Sequence, residues 1–167
     1  MTCSDSILEQ LANQSGLLLQ DKSWLLATAE SCTGGWVAKC CTDITGSSAW
    51  FERGFITYSN QSKHDLLNIR QTTLQQFGAV SEQTVTEMAQ GALANSSADI
   101  SVAITGIAGP DGGSIDKPVG TVWFAWATKN TDVRTECHRF TGDREAVRRQ
   151  AVATALKGII NKITLQE

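Results

Sequence analysis

Two short apolar runs, WLLATA at 24–29 and DISVAITG at 99–106, constrain the fold more than any other feature of the chain. Each has the length of a buried strand; the second ends in glycine, and hydroxyl residues and two glycines follow the first within six positions. The first continues as ESCTGGWVAKCCTD, which reads as a helix over 33–43 in spite of two early glycines. Glycine costs about 1 kcal/mol against alanine inside a helix, so this pair is better explained by a backbone that must approach something closely. The second run passes into a long loop, GIAGPDGGSIDKP. Strands that alternate with helices in this way indicate a sheet covered by helices.

The remaining segments agree with that reading. Residues 5–20 place Ile7, Leu8, Leu11, Leu18 and Leu19 on one helical face, with Ser4 or Asp5 as the N-cap. ERGFITYS (52–59) alternates as a strand, SNQSKHDLL follows as a serine-capped helical turn, and RQTTLQQFG is a short helix closed by Gly78. Ser81 opens a helix that turns Val85, Met88, Ala89, Ala92 and Leu93 inward. The runs 119–128 and 132–140 look like adjacent antiparallel strands joined through TKNTD. From Asp143 to about Ile163 a long amphipathic helix presents Val147, Ala151, Val152, Ala155, Leu156, Ile159 and Ile163 on one side. No repeat or linker divides the chain, so residues 1–167 are expected to form a single α/β domain with a mixed sheet and helices on both faces.

Composition narrows the function. A net charge of -3 argues against general nucleic-acid binding. The longest apolar runs, Ile100–Ile104 and Val119–Ala127, are too short to span a bilayer. MTCSDSILEQLANQSG contains no basic stretch followed by an apolar one, so a cytoplasmic location is expected. Cys3, Cys32, Cys40, Cys41 and Cys137 make an odd number with no CxxC pair, which fits reduced thiols. His64 and His138 have no metal-site spacing, so no structural zinc site is expected.

Ligand sites in open α/β sheets gather beyond the carboxyl ends of the strands, which directs attention to residues 30–35 and 106–114. Ser31 reads either as a helix cap or as a nucleophile; Thr33 can take the capping role, although the GxSxG pattern is absent. A nucleophilic serine needs a base. His64 and His138 read as surface or edge residues, whereas Lys63 in YSNQSK follows a strand that ends at Tyr58. A desolvated lysine can accept a proton near neutral pH, but spacing alone does not bring Lys63 to Ser31. The loop from Gly106 to Gly120, with Gly109, Gly112 and Gly113, can form an anion nest and matches neither a Walker motif nor GxGxxG. TGDREAVRRQ sets Arg144 and Arg148 four apart at a helix start with Arg149 alongside, which reads as a phosphate site or as an ordinary exposed helix start. The residues thus reach an α/β domain with a site for a small phosphorylated molecule, without reaching a reaction.

Four stretches taken in order add more. TAESCTGGWVAKCCTDITGSSAWFERGFITYSNQSK, GAVSEQTVTEMAQGAL, ITGIAGPDGGSIDKPVGTVWFA and TGDREAVRRQA closely resemble the CinA C-terminal domain family, specifically its stand-alone nicotinamide-nucleotide amidohydrolases, from about residue 5 to 163. The resemblance implies a three-layer α/β/α sandwich and a homodimer. It implies hydrolysis of the carboxamide of nicotinamide mononucleotide to nicotinate mononucleotide and ammonia, which returns the pyridine nucleotide to NAD synthesis. It makes Ser31 the nucleophile and Lys63 its base, with Tyr58 assisting. The substrate-binding residues it implies are Glu30, Thr33, Gly34, Gly35, Gly46, Ser47, Ser48, Thr105, Gly106, Ala108, Gly109, Arg144 and Arg148. No metal, cofactor, nucleic acid or membrane is implied. The alternative is a non-catalytic nucleotide-binding or regulatory paralogue, against which the joint retention of Ser31, Tyr58 and Lys63 argues. A cysteine hydrolase using Cys32 and His64 is a further alternative, weakened because Cys32 adjoins Ser31 and points elsewhere.

Overall fold

In the computed structural model, which describes residues 3–129 and 131–165, five strands form one sheet in the order β2-β1-β3-β4-β5. In chain order the elements are α1 (Asp5–Asp21), β1 (Leu26–Glu30), α2 (Trp36–Thr42), β2 (Phe51–Ile56), α3 (Asn60–Leu67), α4 (Gln71–Phe77), α5 (Glu82–Ala94), β3 (Ile100–Gly106), β4 (Thr121–Thr128), β5 (Arg134–Arg139) and α6 (Arg144–Thr164). A single 3-10 turn at Ser47–Ala49 precedes β2. Strand β1 runs parallel to both β2 and β3, while β3–β4 and β4–β5 are antiparallel. The mixed sheet expected from the sequence is therefore present.

The two faces of the sheet differ in side-chain size. On one, Leu26, Val102, Ile104, Phe124 and Trp126 pack with Leu8, Ala12 and Leu19 of α1, Val37 of α2, and Val152, Leu156 and Ile159 of α6. On the other, the fully buried apolar strand residues are Ala27, Ala29, Ala103, Ala125 and Ala127, beneath Val85, Met88, Ala89 and Ala92 of α5, with the larger Phe55 and Trp123 partly buried against them. Small side chains let α5 lie close to the strands, and larger ones hold the α1–α2–α6 layer further off. The result is a three-layer α/β/α sandwich. All five residues of β1 are buried, as a strand covered on both faces requires.

Element boundaries shift where the local backbone demands it. The helix expected over 33–43 begins only at Trp36, because Gly34 (φ 62) and Gly35 (φ 95) lie in the left-handed region. The strand expected over 52–59 stops at Ile56, since Ser59 already caps α3. The strand expected from 119 starts at Thr121, and that expected over 132–140 is shortened to Arg134–Arg139. The turn expected at 128–132 includes Asn130, which lies outside the described residues.

Helix α6 meets the sheet at Gly158, where an added Cβ would come 2.0 Å from the ring of Trp126. That ring is buried and its Nε1 donates to the Ala155 carbonyl at 3.0 Å, so it cannot swing aside. Helix propensity alone favours alanine over glycine by about 1 kcal/mol. Overpacking of this kind costs about 1–3 kcal/mol, and here it acts against a fixed ring. Gly158→Ala is therefore expected to lower the melting temperature by several degrees; an unchanged or raised value by calorimetry would contradict the packing described.

Candidate active site

The chain leaves β1 at Glu30 and crosses the carboxyl ends of the parallel strands before entering α2. Ser31 continues the sheet pairing by one bond, its amide donating to the Ile104 carbonyl at 3.0 Å. Its own carbonyl accepts from the Gly34 amide at 3.0 Å, which closes a turn. At Gly35 the left-handed backbone turns the chain into α2, and a side chain there would meet Ile56 at 2.8 Å. Glycine at 35 is favoured by this left-handed backbone (φ 95), since the Ile56 contact is with the movable end of an exposed side chain.

Helix α2 is not capped by its own N-cap residue. The Glu30 carboxylate does this work from five residues upstream. One of its oxygens accepts from the Val37 amide at 2.9 Å and the Thr33 hydroxyl at 2.8 Å; the other accepts from the Ala38 amide at 3.0 Å and the Thr28 hydroxyl at 3.3 Å. These amides are among the four that an α-helix leaves unpaired at its start, and the carboxylate also faces the positive end of the helix. Both Glu30 and Thr33 are fully buried. The resemblance had placed these two residues among the substrate contacts; the structure uses their side chains to bind the turn to the helix.

With capping assigned to Glu30, the Ser31 hydroxyl is left for another partner. Lys63 supplies it from α3, 32 positions away in sequence: Nζ lies 3.0 Å from Ser31 Oγ and 2.7 Å from the Thr57 carbonyl. Local sequence sets that reach. Ser59 and Ser62 form a reciprocal capping box, which fixes where α3 starts and places Lys63 one turn inside. Lys63 is only 1% exposed, and this burial lowers its pKa from 10.5 to about 8, with the neighbouring Cys32 thiol opposing weakly. An amine with a pKa of about 8 is neutral in a sizeable fraction of molecules near that pH, and a neutral amine can accept a proton.

Around this pair the structure joins three segments. Arg144, at the start of α6, donates to the Gly109 carbonyl at 2.8 Å and to the Tyr58 hydroxyl at 2.9 Å. It thereby ties the end of β2, the loop after β3 and α6 into one rim. Tyr58 is 61% exposed, and its hydroxyl meets Arg144 rather than Lys63. Thr105 turns its hydroxyl to the Ala79 carbonyl at 2.8 Å, Gly106 ends β3, and Ala108 is buried beneath the loop. Asp143 caps α6 through the Ala146 amide at 2.9 Å, so a carboxylate already holds that helix start. Arg148 points its fork at backbone instead, Nε to the Cys32 carbonyl and Nη2 to the Thr33 carbonyl, both at 3.0 Å.

Gly46, Ser47 and Ser48 lie elsewhere. Strand β2 runs parallel to β1 with Phe51 beside Leu26, so the turn before β2 sits where β1 begins. Five residues of strand, about 16 Å, separate that end from Ser31. One chain therefore does not bring these three residues to the Ser31–Lys63 pair. The Cys32–His64 pairing is overturned as well: burial pushes the Cys32 thiol up to about 12, and His64 Nδ1 is held at 2.9 Å by the Ile69 carbonyl. Among the described residues no three His, Cys, Asp or Glu side chains converge on a point that could hold a metal, and no helix is long and apolar enough to cross a membrane.

Two functional contacts had no counterpart in the sequence reading. The Thr57 carbonyl that holds Lys63 is a backbone group and leaves no trace in residue type. The capping role of Glu30 had a weak signal, an acidic residue just ahead of a helix whose N-cap position is glycine.

With the geometry in place, comparison with known proteins is informative. The family model of the CinA C-terminal domain matches residues 8–163. Nicotinamide-nucleotide amidohydrolase PncC of Escherichia coli K12 is 60% identical over 154 residues, 92% of this chain and 93% of that protein. The Pseudomonas putida protein of the same name is 50% identical over 150 residues, 90% of this chain and 93% of its own. Among solved structures, competence/damage inducible protein CihA of Agrobacterium tumefaciens superposes with a TM-score of 0.91 at 44% identity, covering 96% of this chain and 97% of that one. A CinA superfamily protein from Klebsiella pneumoniae superposes at 0.90 and 41%, covering 94% and 98%.

Lys63 is expected to titrate near pH 8, well below the surface lysines, when its side chain is followed by NMR of the labelled protein. The Ser31→Ala variant is expected to keep that low value, because burial and not the hydroxyl is its cause. A Lys63 midpoint above 10 would remove the physical basis of the base assignment.

Proposed function

Since the chain belongs to the CinA C-terminal domain family, we propose that it hydrolyses the carboxamide of nicotinamide mononucleotide, giving nicotinate mononucleotide and ammonia. Identity of 50% and 60% to curated relatives along nine-tenths of both chains makes the chain an amidohydrolase. The observation that carries the mechanism is the buried contact of Lys63 Nζ with Ser31 Oγ at 3.0 Å. A pure nucleotide binder has no use for a desolvated amine held against a serine.

The proposed reaction proceeds in two halves. Ser31 Oγ attacks the carboxamide carbon while its proton passes to the neutral Lys63 amine. The carbonyl oxygen becomes an oxyanion, for which backbone amides of the 31–35 turn are the nearest donors; one such donor contributes about 3 kcal/mol in comparable sites. The intermediate collapses as the Lys63 ammonium returns a proton to the nitrogen, which leaves as ammonia. Water then adds to the ester, its proton going to Lys63, and collapse frees the carboxylate and restores Ser31. One water is consumed, one C–N bond breaks, and no redox change occurs. Because the base must be neutral, the rate is expected to rise with pH up to about 8, where Lys63 titrates.

Substrate charge fits the rim. Arg144 binds two neutral acceptors, which use two of its five N–H donors and leave its charge uncompensated. It is exposed at the mouth of the site and suits a phosphate monoester. Tyr58 on this reading holds Arg144 and flanks the substrate, and the proton traffic runs through Lys63. The product acid is one that pyridine nucleotide synthesis can take up again, which places the reaction in salvage.

Two measurements test the proposal. Ser31→Ala is expected to eliminate ammonia release from nicotinamide mononucleotide with the melting temperature little changed, whereas a serine that merely caps would cost about 1 kcal/mol and leave turnover intact. Arg144→Ala is expected to raise KM for the nucleotide about tenfold or more, from the loss of a charge-assisted bond of about 1.5–3 kcal/mol. The unphosphorylated riboside should be almost unaffected. Equal losses on the two substrates would assign Arg144 to the rim alone.

A further inference from the structure

Arg148 faces a part of the site where a phosphate ligand would be expected, yet its contacts point the other way. The Nε–Nη2 edge of a guanidinium is one of the two that can grip an oxyanion in two parallel bonds. Here that edge is occupied by the Cys32 and Thr33 carbonyls at 3.0 Å each. One face of the same group lies over the Trp36 ring, 5.3 Å from its centroid, so it cannot turn to release them without leaving the indole. From the geometry we infer that Arg148 is a positioning residue for the nucleophile turn rather than a ligand of the phosphate, acting with Glu30 as the second jaw of a clamp on residues 31–38. This rests on the reading of Ser31 as the nucleophile.

The turn needs such a clamp. Between β1 and α2 the turn has two internal backbone bonds, Gly34 to Ser31 at 3.0 Å and Trp36 to Thr33 at 3.2 Å, and it contains two consecutive glycines with positive φ. A glycine pair has wide conformational freedom unless something external removes it. Glu30 removes it from the helix side by holding the Val37 and Ala38 amides and the Thr33 hydroxyl. Arg148 removes it from the α6 side by holding two carbonyls. Each carbonyl belongs to a planar trans peptide whose N–H points the opposite way. Fixing the Cys32 and Thr33 carbonyls therefore fixes the directions of the Thr33 and Gly34 amides. The Gly34 amide already closes the turn on Ser31, and the Thr33 carbonyl also accepts from the Trp36 amide at 3.2 Å; the Cys32–Thr33 peptide, and with it the Thr33 amide, is the unit that depends most on Arg148.

Two variants and two readouts decide the matter. Arg148→Ala removes the fork, and Arg148→Lys keeps a positive charge but cannot hold two carbonyls in one plane. Amide hydrogen exchange of the segment 31–38 is expected to quicken in both variants while the core strands keep their protection. In steady-state assays kcat is expected to fall roughly 10–100-fold on nicotinamide mononucleotide and on its riboside alike, with KM for each within about twofold of wild type, and Lys should not rescue. Unchanged exchange across 31–38 would overturn the inference whatever the activity. So would a rise in KM confined to the nucleotide, or wild-type kinetics in Arg148→Lys, since both describe a charge that holds phosphate. Failure of the functional reading shows itself separately, as wild-type protein that releases no ammonia; exchange then still decides whether Arg148 holds the turn.

Discussion

Removing an amine from water is the constraint around which this site is organised. Lowering the Lys63 pKa from 10.5 to about 8 corresponds to a cost of about 3 kcal/mol for keeping the side chain charged in the folded protein. The penalty is fully present below pH 8, where both folded and unfolded chains hold the proton. It is relieved as pH rises from about 8 towards 10.5, because in that window the unfolded chain binds more protons. The fold accepts this cost by giving Nζ two oxygen neighbours, the Thr57 carbonyl and the Ser31 hydroxyl. An interior placed to tolerate a neutral amine is also one in which that amine can act as a base.

The charges near the pair are arranged so that they do not undo this effect. Arg144 and Arg148 are satisfied by carbonyls and a phenol, with no carboxylate in contact among the described residues, and so retain their full positive charge. The acidic group beside Ser31 is the Glu30 carboxylate, which is turned inward to four donors at the start of α2. Arg149, by contrast, is paired with Asp5 and Glu145 and adds little to the site. A cationic mouth over a low-dielectric pair draws anions inward and strengthens the interactions they make there.

Much of this was legible in residue order because it is local. Apolar run length, periodicity and capping residues located the α-helices and strands to within a few residues, since burial of one face imposes a period of two or 3.6 wherever a chain packs. The glycines at 34 and 35 marked a turn of unusual backbone, and Ser59 announced the start of α3. Family resemblance singled out Ser31 and Lys63, and the structure brings them to 3.0 Å. What residue order did not show were contacts distant in sequence. Arg148 looked like a phosphate ligand because its helix start is basic, but its partners lie 116 and 115 positions away. Ser47 and Ser48 were named through the family resemblance, and strand direction sets them at the other end of the sheet from Ser31 within one chain.

The sequence by itself determined the elements, their amphipathic faces and the types of residue available for chemistry, because these depend on neighbours within a turn of helix or a few residues of strand. Only the tertiary structure decided what those residues do. Proton affinity depends on solvent exclusion, and Lys63 is buried where α3 meets the turn after β1, 32 residues away, and the chain just after β2. The use of a carboxylate as a helix cap or of a guanidinium as a backbone clamp likewise depends on which acceptors and donors the fold leaves within 3 Å. Residue type states a capacity; three-dimensional proximity selects which capacity is exercised.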